Sequence, residues 1–304
     1  MQSVKIFKGL NNVTDPLRLG LPWLVQADNV DVTGTGALKK RTGYTRTVAG
    51  SFTGAYATLD YSRMYVVEGG TIKAVTGLTS SVALLSNLAP AAVYWCEVNG
   101  DVYFSNGVES GIICPDHSIL PWRNSLLGDT EFFDTDGKLL PTLNSALPLG
   151  ITNIQHWQGR IYAAQYFSEL NQTAVWFSQP LGYHLFALDK DFFLVSGQVT
   201  MLAPHDTALI VGTDKEIHAY DGNAITQLAD YGAVPGQHWA ADGQRILFWS
   251  NRGLCAALPF TNLTDSRVSV APGLRAGGAM VLDQGRKRYL VALQVGGSPF
   301  NPLL

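Results

Sequence analysis

The sequence predicts an all-β chain folded as a β-propeller of about six blades. Three observations lead there. Runs of roughly four to eight β-branched and aromatic residues alternate with Gly, Asn-Gly, Asp-Gly and Pro turns along most of the chain. Helical periodicity is nearly absent, and its best stretch, 15–30, is broken by Gly20 and Pro22. A unit of polar turn, apolar strand, Gly- or Asn-containing turn and apolar strand then recurs every 45 residues or so, about the length of a four-stranded blade.

Taken in order, residues 1–50 contain no blade hairpin and read as an N-terminal arm or as the strand that closes the ring. The propeller occupies 51–297. Its units open as DYSRMYVVEGGTIKAV from Asp60, VNGDVYFSNGVESGIIC from Val98 and WQGRIYAAQYFSELNQTAVWFS from Trp157. They continue as HDTALIVGTDKEIHAY from His205, ADGQRILFWSNRGLCAAL from Ala241 and DQGRKRYLVALQV from Asp283. Aligned on the first strand, the anchors are Met64, Val102, Ile161, Leu209, Ile246 and Tyr289. The interval from Val102 to Ile161 exceeds the period by about 14 residues, and the excess falls in a loop-rich insertion at about 115–150. The closing SPFNPLL, with two prolines and a Leu pair, makes 298–304 an extended tail. A single twisted sheet cannot bury both faces, and radial packing of several solves this while leaving short edges. A β-sandwich or a pair of small barrels is the alternative reading.

At 46% hydrophobic residues, the 304-residue chain can fill a core and is not disordered over most of its length. Charged residues reach 15%, against roughly 25% in an average domain, as expected of a surface that neighbours cover. The balance of 21 Lys+Arg and 24 Asp+Glu excludes nucleic-acid binding through a general basic field as the main activity. The opening MQSVKIFKGLNN lacks the apolar core of a secretory signal, and no apolar run is long enough to predict a membrane span. Cys96, Cys114 and Cys255 form no CxxC pair and read as reduced core thiols.

The inventory of chemistry is sparse. The sequence holds no GxSxG elbow, no P-loop and no GxGxxG opening a helix, and no sialidase-type Asp box is recognisable in any unit. The acidic cluster Asp129, Glu131, Asp134 and Asp136 has the residues for a glycosidase carboxylate pair or a calcium ion. Its fragment Asp134-Thr-Asp136-Gly137 begins like a calcium loop, but the third ligand position is wrong and no chelating Glu follows, so it reads as a solvated or inter-subunit loop. Cys114 and His117 have a zinc-like spacing without two further ligands, and read as a core thiol and a turn histidine. His156 and His238 stand beside Trp157 and Trp239 at unit starts, where rings pack on rings. No catalytic, cofactor or metal residue is expected. Basic residues cluster at Lys39-Lys40-Arg41 with Arg46, and at Arg286-Lys287-Arg288; such runs suit either phosphate contact or solvated hairpin tips.

Several segments carry a resemblance. FKGLNN, then Ala27-Asp28-Asn29-Val30-Asp31, then the stretch from Gly36 through Arg41 to Gly43-Tyr44, is similar to the start of tailed-phage virion propellers. The strand and turn from Val175 to Phe186, and Ile246 to Leu254, resemble inner segments of the same proteins. The family comprises tail nozzle and packaged-DNA stabilisation proteins and related tail hubs. The resemblance implies a propeller that is not an enzyme, has no cofactor, and forms a homo-oligomeric ring on the tail axis. Hexamers are favoured and trimers are the other symmetry. The ring would extend or seal the DNA-exit channel and dock adjacent tail, adaptor or fibre proteins. Viral DNA would pass without sequence-specific binding. The protein would be made in the bacterial cytoplasm and reside in the virion. Nozzle proteins are generally longer, so an adaptor or tail-tip hub stays open beside the nozzle.

The interface candidates are Phe7, Leu10, Trp23 and Leu24 in the arm, and Lys39, Lys40 and Arg41 behind it. Phe132 and Phe133 in the insertion and Phe300 in the tail complete the set. Two other classes are weighed. A carbohydrate-binding propeller would stack sugars on Trp122, Tyr166 and Tyr183, and a glycan hydrolase would use the 129–136 carboxylates with Glu131 as acid or base.

Overall fold

The computed structural model describes residues 4, 6–41, 43, 50–77, 80–122, 147–283 and 285–294. Strands supply all the regular structure of these residues. In the arm, β1 (Gly9–Leu10) pairs in parallel with β2 (Trp23–Leu24), and β3 (Val30–Val32) forms an antiparallel hairpin with β4 (Leu38–Lys40). That hairpin, each of whose strands is three residues long, carries the first basic run, for which the sequence offered a hairpin tip or phosphate contact.

Five antiparallel sheets follow, each in chain order. The first is β5 (Phe52–Ala57), β6 (Met64–Glu68), β7 (Thr71–Val75) and β8 (Ser81–Leu85). The second is β9 (Tyr94–Val98), β10 (Asp101–Ser105), β11 (Ser110–Ile113) and β12 (Ile119–Leu120). The third holds β13 (Ile151–Trp157), β14 (Arg160–Phe167), β15 (Gln172–Gln179) and β16 (Gly182–Phe186), with β17 (Phe192–Ser196) also paired to β15. The fourth is β18 (Val199–Pro204), β19 (Leu209–Thr213), β20 (Ile217–Tyr220) and β21 (Ile225–Ala229). The fifth is β22 (Ala240–Asp242), β23 (Arg245–Ser250), β24 (Gly253–Ala257) and β25 (Thr261–Asn262). A sixth sheet has two strands, β26 (Arg275–Asp283) and β27 (Arg286–Gln294). This is the predicted propeller. Among the described residues its last unit stops at two strands, where the repeat predicted a full blade.

The turns explain the register. Between β9 and β10, Asn99 and Gly100 both take positive φ (53° and 87°), which gives the tight hairpin whose twist matches its strands. The first strands face inward, with β9 against β13, β13 against β18, and β22 against β26.

One apolar cluster seals each junction from the first sheet to the sixth. Tyr65, Ile72, Trp95 and Phe104 join the first and second sheets, and Cys96, Tyr103, Trp122, Ile161 and Phe186 join the second and third. Trp157, Tyr162, Leu209 and Tyr220 fill the next junction, and Met201, Ile210, Phe248 and Cys255 the one after. A smaller cluster of Val234, Trp249 and Ala276 joins the fifth and sixth sheets. Burying each large side chain contributes roughly 1.5–3 kcal/mol, so these seams are the main attraction between sheets.

Hydrogen bonds tie the same seams. Ser105 Oγ donates to Ile151 O (2.7 Å), Asn153 Nδ2 to Val199 O (2.8 Å) and Thr200 Oγ1 to Ala233 O (2.8 Å). The junction of the sixth sheet with the first differs. No buried apolar cluster bridges it among the described residues. A cleft of about 1220 Å³ lies there, lined by Ala55 and Ala57 of β5, Ala279 and Val281 of β26, and Leu290 and Ala292 of β27.

Candidate functional site

The arm packs on its own propeller through polar contacts. Asn12 exchanges two hydrogen bonds with Ser269, donating from Nδ2 to its carbonyl (2.9 Å) and accepting its amide at Oδ1 (2.7 Å). The Arg267 guanidinium lies over the Trp23 ring, 5.7 Å from its centre. Arg288 of β27 reaches Asp31 of β3 at 2.7 Å.

The four apolar arm candidates are only half-exposed. Phe7 donates its amide to Gly36 O (2.7 Å), while Leu10 and Leu24 face each other as register partners in β1 and β2, beside Trp23. Among the described residues of the arm the most exposed apolar side chains are others: Leu17 at 95%, Ile6 at 62% and Leu21 at 59%. Periodicity does not single out Leu17 and Leu21, because the segment 15–30 has no regular strand or helix pattern to flag an odd apolar face. Phe132, Phe133, Phe300, Arg46 and the 129–136 carboxylates lie outside the described residues.

The basic candidates converge. Lys39 and Lys40 are exposed on β4, and Arg41 just beyond pairs with Asp31 at 3.3 Å. Across from them stands the second basic run, on β27. Between the two hairpins lies a cleft of about 470 Å³ with Lys39, Arg286, Lys287 and Arg288 around it, together with Asp31 and Asp283. Arg288 bridges both carboxylates, Asp31 at 2.7 Å and Asp283 at 3.0 Å. Hydrogen bonding to Arg288, reinforced by its charge and by Arg41, holds the Asp31 carboxyl below its ordinary value despite partial burial. The two runs are far apart in sequence, so each looked like an isolated hairpin tip.

The remaining polar candidates are structural. Trp122 is 1% exposed and donates Nε1–H to Tyr183 O (3.1 Å), and Tyr183 stacks edge-on against Tyr103 and His156. Two of the three aromatics named for sugar stacking are therefore spent inside the seam between the second and third sheets. Tyr166 donates its hydroxyl to Asn171 Oδ1 (3.1 Å). Cys96 and Cys255 are buried thiols whose pKa burial pushes up, whereas Cys114, expected in the core, is half-exposed at a turn. His117 occupies that turn with φ 68° and sets its ring edge-on to Tyr65. Among the described residues no group of three or more His, Cys, Asp or Glu side chains is placed to hold a metal ion. Among the described residues no helix is long and apolar enough to cross a membrane.

No protein-family model matches the chain, and no curated protein matches it. Solved structures resemble it in fold. A gluconolactonase from Xanthomonas campestris shares 13% identity over 81% of this chain and 84% of its own, with a TM-score of 0.48. BBS1N in complex with ARL6DN shares 11% over 86% of this chain and 78% of its own, with a TM-score of 0.48. The extracellular domain assigned to a hybrid two-component system of B. thetaiotaomicron shares 12% over 77% of this chain, with a TM-score of 0.42. This chain spans 30% of that domain's length. At these identities and TM-scores nothing about this chain's activity is drawn from the likeness.

Proposed function

We propose that the chain is a structural subunit of a tailed-phage virion, a nozzle- or hub-type tail protein that works by assembly and not by catalysis. The observation that carries this reading is the arm. It lies outside the six propeller sheets, is held by polar contacts, and presents Ile6, Leu17 and Leu21 to solvent. Exposed apolar side chains gathered on an extended segment suit a neighbour's surface better than water. The low charge content and the resemblance of the segments from Ala27 to Tyr44 point the same way.

In this reading several copies form a ring, six-fold before three-fold, that extends or seals the DNA-exit channel. Gln237 Nε2, in the connection before β22, donates to Trp95 O of β9 at 2.8 Å, linking this connection to the second sheet across the middle of the propeller. A duplex would therefore run through a lumen built between subunits and not through the axis of one. Fibre or adaptor proteins would seat on the outer loops.

Negative-stain electron microscopy of the purified chain tests this. The expected outcome is a ring with a central hole, and a chain lacking residues 1–30 should stay folded but monomeric. Monomers under every condition, together with specific retention on a glycan array, would favour the carbohydrate-binding alternative.

A further inference from the structure

We propose that the cleft between the arm hairpin and the last hairpin binds the phosphodiester backbone of nucleic acid. The cleft brings together two basic runs from opposite ends of the chain, Lys39 on β4 and Arg286, Lys287 and Arg288 on β27. Its volume of about 470 Å³ falls in the range of small-ligand sites, roughly 300–1,000 Å³. Such sites are mostly apolar, whereas this one is lined largely by charges.

The local balance is positive, with four cationic side chains against two carboxylates, in a protein whose formal charge is −3. Both carboxylates are engaged by Arg288, at 2.7 and 3.0 Å. They therefore orient that guanidinium and weaken the repulsion an incoming anion would otherwise meet. Arg286 and Lys287 are exposed beside it. Arg286 and Arg288 lie two residues apart on one face of β27, about 7 Å along the strand, so they can meet successive groups of an extended polyanion.

The chemistry selects phosphate over bases. Lys and Arg reach phosphate oxygens as charges, and the cleft offers no amide side chain to read base edges. Thr33, the one hydroxyl at the cleft, is already used by the turn, accepting the Ala37 amide at 3.0 Å. Binding should therefore be independent of sequence. The affinity for phosphate follows from the cleft itself, and the choice of nucleic acid as its source rests on the proposed place of the chain around a DNA conduit.

The test is fluorescence anisotropy of labelled DNA, single-stranded and duplex, titrated with the full chain across NaCl concentrations. Removing two phosphate contacts in R286Q/K287Q should make the log–log salt slope shallower by about 2 and weaken binding roughly fiftyfold at 0.1 M salt. K39Q, on the opposite hairpin, should change the slope by about 1 and gives a second variant independent of β27. Unchanged slopes in both variants would overturn the site. Displacement of DNA by pyrophosphate at matched phosphate concentration would overturn the backbone assignment in favour of a small phosphorylated ligand. Failure here is separable from failure of the assembly reading. Rings that form while slopes stay unchanged reject the cleft alone, and salt-dependent, cleft-dependent binding by a chain that never forms rings supports the cleft and rejects the conduit.

Discussion

His238 shows how much can rest on a single ring. It is completely buried, its Nε2–H donates to Val234 O at 2.6 Å, and its Nδ1 accepts the Trp249 amide at 3.0 Å. Tyr289 of β27 donates its hydroxyl to the His238 carbonyl, so the residue links the fifth sheet to the sixth. The bonds at the ring require the neutral form, and burial pushes its pKa from 6.5 down to about 4. The unfolded chain therefore takes up the proton first as pH falls. The stability this residue contributes is complete above about pH 6.5 and is lost towards pH 4, a change of about 3 kcal/mol. Thermal melts between these limits should be steeper in pH for the parent than for H238Q, whose amide can donate and accept without titrating; equal slopes would remove His238 from the seam's energetics. Two residues before it, Gly236 has φ 131°, and a Cβ there would run into the Ala276 carbonyl. The close approach of β26 to this loop depends on that missing atom.

The elements repeat more regularly than the sequence does. Met64, Val102, Ile161, Leu209, Ile246 and Tyr289 all fall on the second strand of their sheets: β6, β10, β14, β19, β23 and β27. The repeat was legible because the second strands of the first five sheets are largely buried on both faces and read as continuous apolar runs, as in β19, where every residue is buried, whereas β27 is half-exposed. First strands were harder to find. Lining the middle, they carry polar side chains such as Asn153, whose partner is Val199 on the next sheet, and Thr200, whose partner Ala233 lies in the connection that bridges to Ser250 of the next sheet. The energetic unit is accordingly the seam between sheets. Phe248, fully buried between the fourth and fifth, should cost about 3–5 kcal/mol on replacement by Ala, seen as a lower denaturant midpoint with unchanged slope. A loss below about 1 kcal/mol would mean that this seam is not closely packed.

At the scale of the whole molecule, the ring of seams is continuous from the first sheet to the sixth and opens between the sixth and the first. The arm hairpin meets that region through Asp31 and Arg288 and not through an apolar core. Contacts of this kind weaken with salt, so high ionic strength should loosen the arm before it affects the sheets. Leu17 and Leu21 belong to this scale too, since they touch no seam. The double variant L17S/L21S should change the stability of the isolated chain by less than about 0.5 kcal/mol and sharply reduce the yield of rings in electron micrographs. Undiminished rings would move the interface away from the arm.

The sequence by itself determined the all-β class, the spacing of the units and the place of the arm, because these depend on local alternation and turn chemistry that each stretch carries within itself. It also contained both basic runs, though not their meeting. Only the tertiary structure decided that Lys39 and Arg286–Arg288 share one cleft, that Trp122 is buried and that the half-buried Tyr183 packs against its cluster. It also decided that the last sheet has two strands among the described residues. Each of these is a contact between segments distant in the chain. Side-chain type and spacing say what a residue can do, and the path of the backbone decides which partner it meets.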